Sequence, residues 1–213
     1  MIVLAGKGAW RAAAGYRQAC WDDGPRVGCD GRTVGVIGAS RIGRRVVERL
    51  TRSPAGYRVL LADPLTTPQD ASALGAELVS LDELCRRSSI VSVHAPELPE
   101  TRHLLNAARL ALVPDGGTVI NTARGSIVDT EALTRECRTG RLSAWLDVTS
   151  PEPLPAAHPL FSLPNVFITP HSAGAQGSEV ERLGQYAVEE VCRFVRGEKL
   201  HGEVLCTDVG RVA

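Results

Sequence analysis

The sequence carries no net charge: its 213 residues include 24 lysines and arginines against 24 aspartates and glutamates. A balanced surface of this kind makes nucleic acid or an anionic membrane an unexpected main partner. No long uninterrupted apolar run occurs, so no membrane-spanning helix is predicted. A secretory signal is not expected either, because the apolar start Met1 to Gly6 is short and Lys7 follows it at once. The six cysteines (Cys20, Cys29, Cys85, Cys137, Cys192 and Cys206) form no Cys-x-x-Cys pair. They read as reduced thiols in a chain able to bury a core, and no metal site is expected. Internal repeats and low-complexity segments are also missing. What remains is a cytoplasmic domain of ordinary size with short appendages.

The apolar segments alternate with helix-like ones. Strands are predicted at 31–37, 57–62, 90–93, 118–121, 142–146 and 166–169. Helices are predicted at 44–52, with Val46, Val47 and Leu50 on one face, at 106–112 capped by Asn106, and from Asp129 to about 140. A last helix runs from Ser178 to Arg196 and is closed by Gly197. The proline-rich stretch from Pro151 to Pro159 can be neither helix nor central strand. Strands alternating with helices imply an α/β fold of the Rossmann type, a doubly wound parallel sheet in three αβα layers.

Gly38-Ala39-Ser40-Arg41-Ile42-Gly43 follows the first strand and opens a helix. In that setting a glycine fingerprint points to a dinucleotide, with pyrophosphate at the helix N-terminus. Gly38 allows the tight turn and Gly43 the close packing of helix on strand. Ser40 stands where the middle glycine is usual; its Cβ crowds the backbone approach, although its hydroxyl can donate to a phosphate. Asp63 closes the next strand, where an acid accepts hydrogen bonds from the adenosine ribose and repels a 2′-phosphate, which favours NAD over NADP. The alternative is a solvated aspartate at a turn before Pro64.

Three further groups stand just after strand-like runs: Arg124 in Asn121-Thr122-Ala123-Arg124-Gly125, Glu152 beyond Asp147, and His171 in Pro170-His171. An arginine can hold a carboxylate through two parallel hydrogen bonds, and an imidazole beside a carboxylate can move a proton near neutral pH. Together they are equipment for reducing a 2-keto acid. Arg124 alone could be a structural ion-pair arginine. His94, ending another strand, either lines the cofactor cleft or simply packs; His103, His158 and His201 are expected at the surface.

From about Gly31 to Lys199 the chain resembles the nucleotide-binding domain of the D-isomer-specific 2-hydroxyacid dehydrogenases. The matching stretches are Thr33 to Gly43, Ser92 to Pro96, Pro99 to Arg102, Asn121 to Asp129, Leu146 to Leu154 and Thr169 to Gly174. The resemblance implies that Arg124 binds the substrate carboxylate and carbonyl, that His171 is the acid/base, and that Glu152 pairs with it. It implies NAD as cofactor, with Asp147 binding the nicotinamide carboxamide. Further cofactor contacts are implied at Gly38, Ser40, Arg41, Ile42, Gly43, Asp63, His94, Pro96, Thr101, Thr122, Ala123, Arg124, His171 and Gly174. The implied reaction is hydride transfer between nicotinamide and C2 of a small D-2-hydroxy or 2-keto acid. The alternative is an NAD-binding regulatory or co-repressor-like module without turnover.

Residues 1–30 are expected to form an interdomain and dimerisation segment, 31–197 the NAD-binding domain, and 198–213 a tail directed to a separate substrate domain. A helix is predicted from Ala9 to Trp21, with Trp10, Ala13, Ala14, Arg17 and Trp21 covering one face, and Trp10 and Trp21 buried in a homodimer partner. Because a substrate domain of the family's size is not expected in the residues before Gly31, the chain by itself is expected to bind NADH but to turn over poorly.

Overall fold

A computed structural model describes residues 1–17, 19–20 and 28–206. These fall into two compact units, Met1–Pro170 and a second that begins at His171. The first opens with two short helices, α1 (Ile2–Gly6) and α2 (Ala9–Tyr16), and continues as β1 (Thr33–Ile37), α3 (Arg41–Thr51), β2 (Arg58–Ala62), α4 (Pro68–Ala73), β3 (Glu77–Leu78), α5 (Leu81–Arg87) and β4 (Ile90–Val93). Then follow α6 (Ala107–Leu112), β5 (Thr118–Asn121), α7 (Thr130–Arg138), β6 (Ser143–Leu146) and β7 (Val166–Ile168).

All seven strands pair in parallel, in the order β3-β2-β1-β4-β5-β6-β7. The chain steps outward from β1 in one direction and then returns to start outward from β4 in the other. That reversal between β1 and β4 is where an open parallel sheet offers a crevice at its carboxyl edge. The predicted Rossmann-type α/β architecture is thus the observed one.

Alternation along each strand divides the core into two faces. Val34, Val36, Val59, Leu61, Ile90, Ile120 and Trp145 pack with Val47 and Leu50 of α3 on one side. Val91, Val93, Val119, Ala144 and Leu146 pack with Leu84, Leu110 and Leu133 of α5, α6 and α7 on the other. Gly35 sits inside β1 because α5 lies directly on it: a Cβ there would collide with the Leu84 side chain and Ser88 Oγ.

Helix starts follow cap chemistry. Ser40, Thr67, Ser80, Asn106 and Asp129 each accept a backbone N–H three residues on. Ser40 therefore starts α3 at Arg41 and not at the predicted Arg44. Elements α4, β3 and α5 lie between 64 and 90, a stretch whose short amphipathic pieces carry little periodic signal. The predicted helix from Ala9 ends at Tyr16, and Trp21 lies outside the described residues. Trp10 packs within its own chain, with its ring centroid 4.6 Å from that of Phe167, which in turn stands 4.9 Å from Trp145. The expectation that Trp10 is kept for a partner is therefore corrected: β7 presents an aromatic ring to it. His158 is also less exposed than expected, its side chain only 10% accessible and its Nδ1 accepting the Leu160 N–H.

The second unit is dominated by α8 (Ser178–Val195), which ends as predicted: Gly197 takes the left-handed conformation, with φ of 68°. Glu190 accepts the backbone N–H groups of His201 and Gly202, which folds the following segment back along the helix.

Leu84 joins the sheet to the helical layer and is fully buried. Leu84→Ala should destabilise the first unit by about 3 kcal/mol and lower its melting temperature by roughly 6–12 °C. Thermal unfolding followed by circular dichroism checks this.

Candidate functional site

Every strand of the crevice ends in residues singled out from the sequence. Gly38 follows β1, Asp63 follows β2, His94 follows β4, Thr122 follows β5 and Asp147 follows β6. Gly38 has φ of +92°, and a Cβ there would stand 2.6 Å from the Ala95 nitrogen. The β1 turn can therefore lie against the β4 loop only because both the backbone angle and the missing side chain allow it. Gly43 is constrained in the same way, since a Cβ would collide with the carbonyl oxygen of Gly38. These two glycines let the β1 turn, the β4 loop and the start of α3 pack together, the setting in which a helix N-terminus fits a dinucleotide pyrophosphate. Arg41 and the exposed Ile42 occupy the first turn of that helix.

Ser40 does not obstruct that setting as its Cβ suggested. Its φ of −59° needs no glycine, and its Oγ accepts the Gly43 N–H at 3.2 Å. The hydroxyl proton is left to donate to a phosphate oxygen. Asp63 is more than a solvated turn residue. One carboxylate oxygen accepts the Ala39 N–H at 2.7 Å, while the other accepts from Leu65 N and Thr66 Oγ1 at 2.8 and 3.1 Å. It ties the end of β2 to the glycine turn and keeps acceptor capacity for a ribose hydroxyl.

His94 is buried, and its Nε2 lies 2.8 Å from Ser92 Oγ. Burial alone pulls its pKa down to about 4. A neutral imidazole packed under the glycine turn describes it better than a group that exchanges protons. Pro96 begins the following loop, which Thr101 closes by donating from Oγ1 to the Pro96 carbonyl and accepting the Leu98 N–H.

The Arg124 loop is held by a residue the sequence reading did not single out for a role. Asn121 is 1% exposed; its Oδ1 accepts the Ala123 N–H at 3.0 Å and its Nδ2 donates to the Arg124 carbonyl at 2.9 Å. A buried amide at a strand end, where apolar residues precede it, was the available signal. The exposed Arg124 guanidinium donates to the Ala123 carbonyl at 2.7 Å and has no ion-pair partner among the described residues, so the structural ion-pair alternative does not hold there.

Adjacent loops are laced together. Ser126 Oγ donates to Glu97 at 2.5 Å, and Thr130 Oγ1 donates to the Ser150 carbonyl at 2.9 Å. Gly125 lies so close to Thr149 that a Cβ would collide with its carbonyl. Asp147 is 2% exposed and accepts from Thr169 Oγ1 at 2.5 Å. Glu152, on the surface of the proline-rich loop, accepts the Thr149 N–H at 3.3 Å. The structure thus gathers Gly38 to Gly43, Asp63, His94, Pro96, Thr101, Thr122 to Arg124, Asp147 and Glu152 along one sheet edge. His171 and Gly174 belong to the second unit and are exposed there, His171 in the left-handed conformation at φ of 52°.

Among the described residues, no cluster of histidine, cysteine and carboxylate side chains could hold a metal, and no helix is long and apolar enough to cross a membrane. Cys85 and Cys137 are buried free thiols; burial pushes them up to about 11 and about 12, which leaves them protonated and inert.

Two outcomes follow from this geometry. Gly38→Ala should leave a folded chain that binds NADH at least tenfold more weakly, measured by fluorescence titration, because the turn must move away from Ala95. The second concerns acid stability. Folded His94 takes a proton only near pH 4, whereas the unfolded residue does so near 6.5. Its contribution is present above pH 6.5 and is lost as pH falls toward 4, by up to about 3 kcal/mol. Urea unfolding of His94→Gln at several pH values should show a flatter profile across that window.

The whole first unit matches the family model "D-isomer specific 2-hydroxyacid dehydrogenase, NAD binding domain" over residues 1–173. The chain is 33% identical over 202 residues to a D-3-phosphoglycerate dehydrogenase of Methanocaldococcus jannaschii, covering 93% of this chain and 38% of that one. It is 38% identical over 169 residues to a glyoxylate reductase of Aeropyrum pernix, covering 79% of this chain and 50% of the relative. It therefore spans half or less of the length of these two relatives. Among solved structures, a D-isomer specific 2-hydroxyacid dehydrogenase of Xanthobacter autotrophicus Py2 in complex with NADPH and MES superposes with a TM-score of 0.80 at 30% identity. That match covers 96% of this chain and 83% of the other. The apo D-mandelate dehydrogenase of Rhodotorula graminis gives 0.82 at 27% identity, covering 96% and 64%. The close-packed glycine turn, the acid closing β2 and the arginine loop after β5 thus stand in a chain that belongs to the D-isomer-specific 2-hydroxyacid dehydrogenase family and comprises its NAD-binding domain.

Proposed function

We propose that this chain carries the catalytic half-site of an NAD-dependent dehydrogenase that interconverts a small 2-keto acid and its D-2-hydroxy acid. The observation that supports it most directly is the position of Arg124, exposed and without an ion-pair partner among the described residues, on a loop pinned by Asn121 along the same sheet edge as the glycine turn. A nicotinamide bound there supplies a hydride, two electrons and a proton, at its C4.

The protein's own groups have complementary tasks. Arg124 binds the substrate carboxylate bidentately and polarises the C2 carbonyl. As C2 is reduced, the C–O π bond opens and its electron pair collects on oxygen; His171 gives that oxygen its proton and takes it back in the reverse oxidation. Glu152 is the carboxylate partner of His171, an assignment that comes from the family resemblance. Asp147, buried and held by Thr169, is suited to accept from the carboxamide of the cofactor. Asp63 favours NAD over NADP, since a 2′-phosphate would meet a carboxylate already fixed in place. A cytoplasmic location accords with the buried free thiols Cys85 and Cys137, and a homodimer with the exposed Val3, Leu4 and Tyr16 of the first two helices.

The test is NADH binding followed by NADH oxidation with a panel of 2-keto acids. Binding of NADH in preference to NADPH is expected, together with oxidation that His171→Ala lowers by about 10²–10⁴-fold. Arg124→Ala should raise KM and lower kcat together, and Glu152→Gln should cost less than His171→Ala while leaving NADH affinity unchanged. A folded chain that failed to bind NADH would overturn the reading.

A further inference from the structure

We propose that Glu97 sets the charge class of the substrate, admitting 2-keto acids whose far end is neutral and excluding those with a second carboxylate or a phosphate. The inference rests on the reading of Arg124 as the ligand of the substrate carboxylate.

Glu97 stands in the loop after β4, and one of its carboxylate oxygens accepts the Ser126 hydroxyl at 2.5 Å. Ser126 is 9% exposed and lies two residues beyond Arg124. Two residues of chain span at most about 7 Å, and the Ser126 side chain and its hydrogen bond add about 5 Å, so the exposed carboxylate is anchored within about 12 Å of the Arg124 backbone. The anchor is rigid. The same two loops are joined by the His103 N–H to the Ser126 carbonyl at 2.8 Å and by the Leu105 N–H to the Ile127 carbonyl at 3.1 Å.

The local charge balance gives this carboxylate its effect. No cation forms an ion pair with Glu97 among the described residues, and the nearby Glu100 and Arg102 offset one another on the same loop. Arg124 is the cation on the loop after β5, and a substrate with one carboxylate uses that charge fully. A second anionic group on the substrate finds Glu97 instead. At about 8 Å and an intermediate dielectric, the repulsion between two unit charges amounts to roughly tenfold in affinity. Replacement by glutamine keeps an oxygen to accept from Ser126 and removes only the charge, so a loop clamp and a charge filter respond differently.

The experiment compares 2-oxoglutarate with its 5-(N,N-dimethylamide), an amide that cannot close onto the keto carbon, so that the two open-chain ligands differ chiefly by one negative charge. Affinities are measured by calorimetry on the chain saturated with NAD⁺, which cannot reduce them. The amide is expected to bind about tenfold more tightly, and Glu97→Gln should reduce that preference to threefold or less by tightening 2-oxoglutarate alone. Added salt should shrink the preference of the unaltered chain and leave that of the variant unchanged. A preference untouched by Glu97→Gln would overturn the proposal and leave Glu97 as a loop clamp. If amide binding survives Arg124→Ala, the assignment of Arg124 falls first and this inference with it. If neither ligand binds while NAD⁺ does, the 2-keto acid reading itself is wrong.

Discussion

The β1 turn and the β4 loop approach more closely than two side-chain-bearing segments could, and the geometry of the candidate site depends on that contact. Gly38 meets the Ala95 backbone, and Gly43 meets the Gly38 carbonyl. Neither approach leaves room for a Cβ. The consequence is a tightly packed start to α3 at the carboxyl edge of the sheet, at the point where the strand order reverses. Asp63 reinforces the arrangement by accepting the Ala39 N–H, so the acid suited to a ribose also fixes the turn suited to the phosphates. The end of β2 and the glycine turn are therefore coupled through one carboxylate.

The loops beyond β4, β5 and β6 form a second, polar layer on this edge. Asn121 holds both sides of the Arg124 peptide, Ser126 bridges to Glu97, Thr130 reaches the Ser150 carbonyl, and Thr169 holds Asp147. These are short hydrogen bonds among buried or half-buried groups, where an unpaired partner would cost about 1–3 kcal/mol. The backbone that carries Arg124 is thereby held in place, while its guanidinium is exposed. His94 contributes differently: its imidazole is neutral and packed beneath the turn, and it is there for shape and for the Ser92 hydrogen bond.

Much of this was readable beforehand because the informative signals are local. The strand β4, the turn at Pro114 to Gly117, the caps Asn106 and Asp129 and the stop at Gly197 follow from apolar runs and from residues whose side chains bond the neighbouring backbone. The stretch between Asp63 and Ile90 was not readable. There β3 has two residues and α4 six, lengths over which neither periodicity can be recognised. Trp10 was misassigned for a related reason: a helical stripe reports that one face is apolar, without saying whether the covering surface is Phe167 of the same chain or another molecule.

The sequence by itself determined the order of the strands and longer helices apart from those in residues 64–89, the glycine fingerprint, and the identity of the acid, arginine, glutamate and histidine that follow strands. These depend on residue type and short spacing, which act within a turn or two of chain. Only the tertiary structure decided that Ser40 serves as a helix cap, that Asp63 holds the glycine turn, that Asn121 aims the Arg124 loop and that Glu97 stands beside it. The Asp63 and Glu97 contacts join different loops, whereas those of Ser40 and Asn121 span only two or three residues. The partner of a polar atom is chosen by whichever backbone the parallel pairing brings within about 3 Å, a distance that spacing along the chain does not encode.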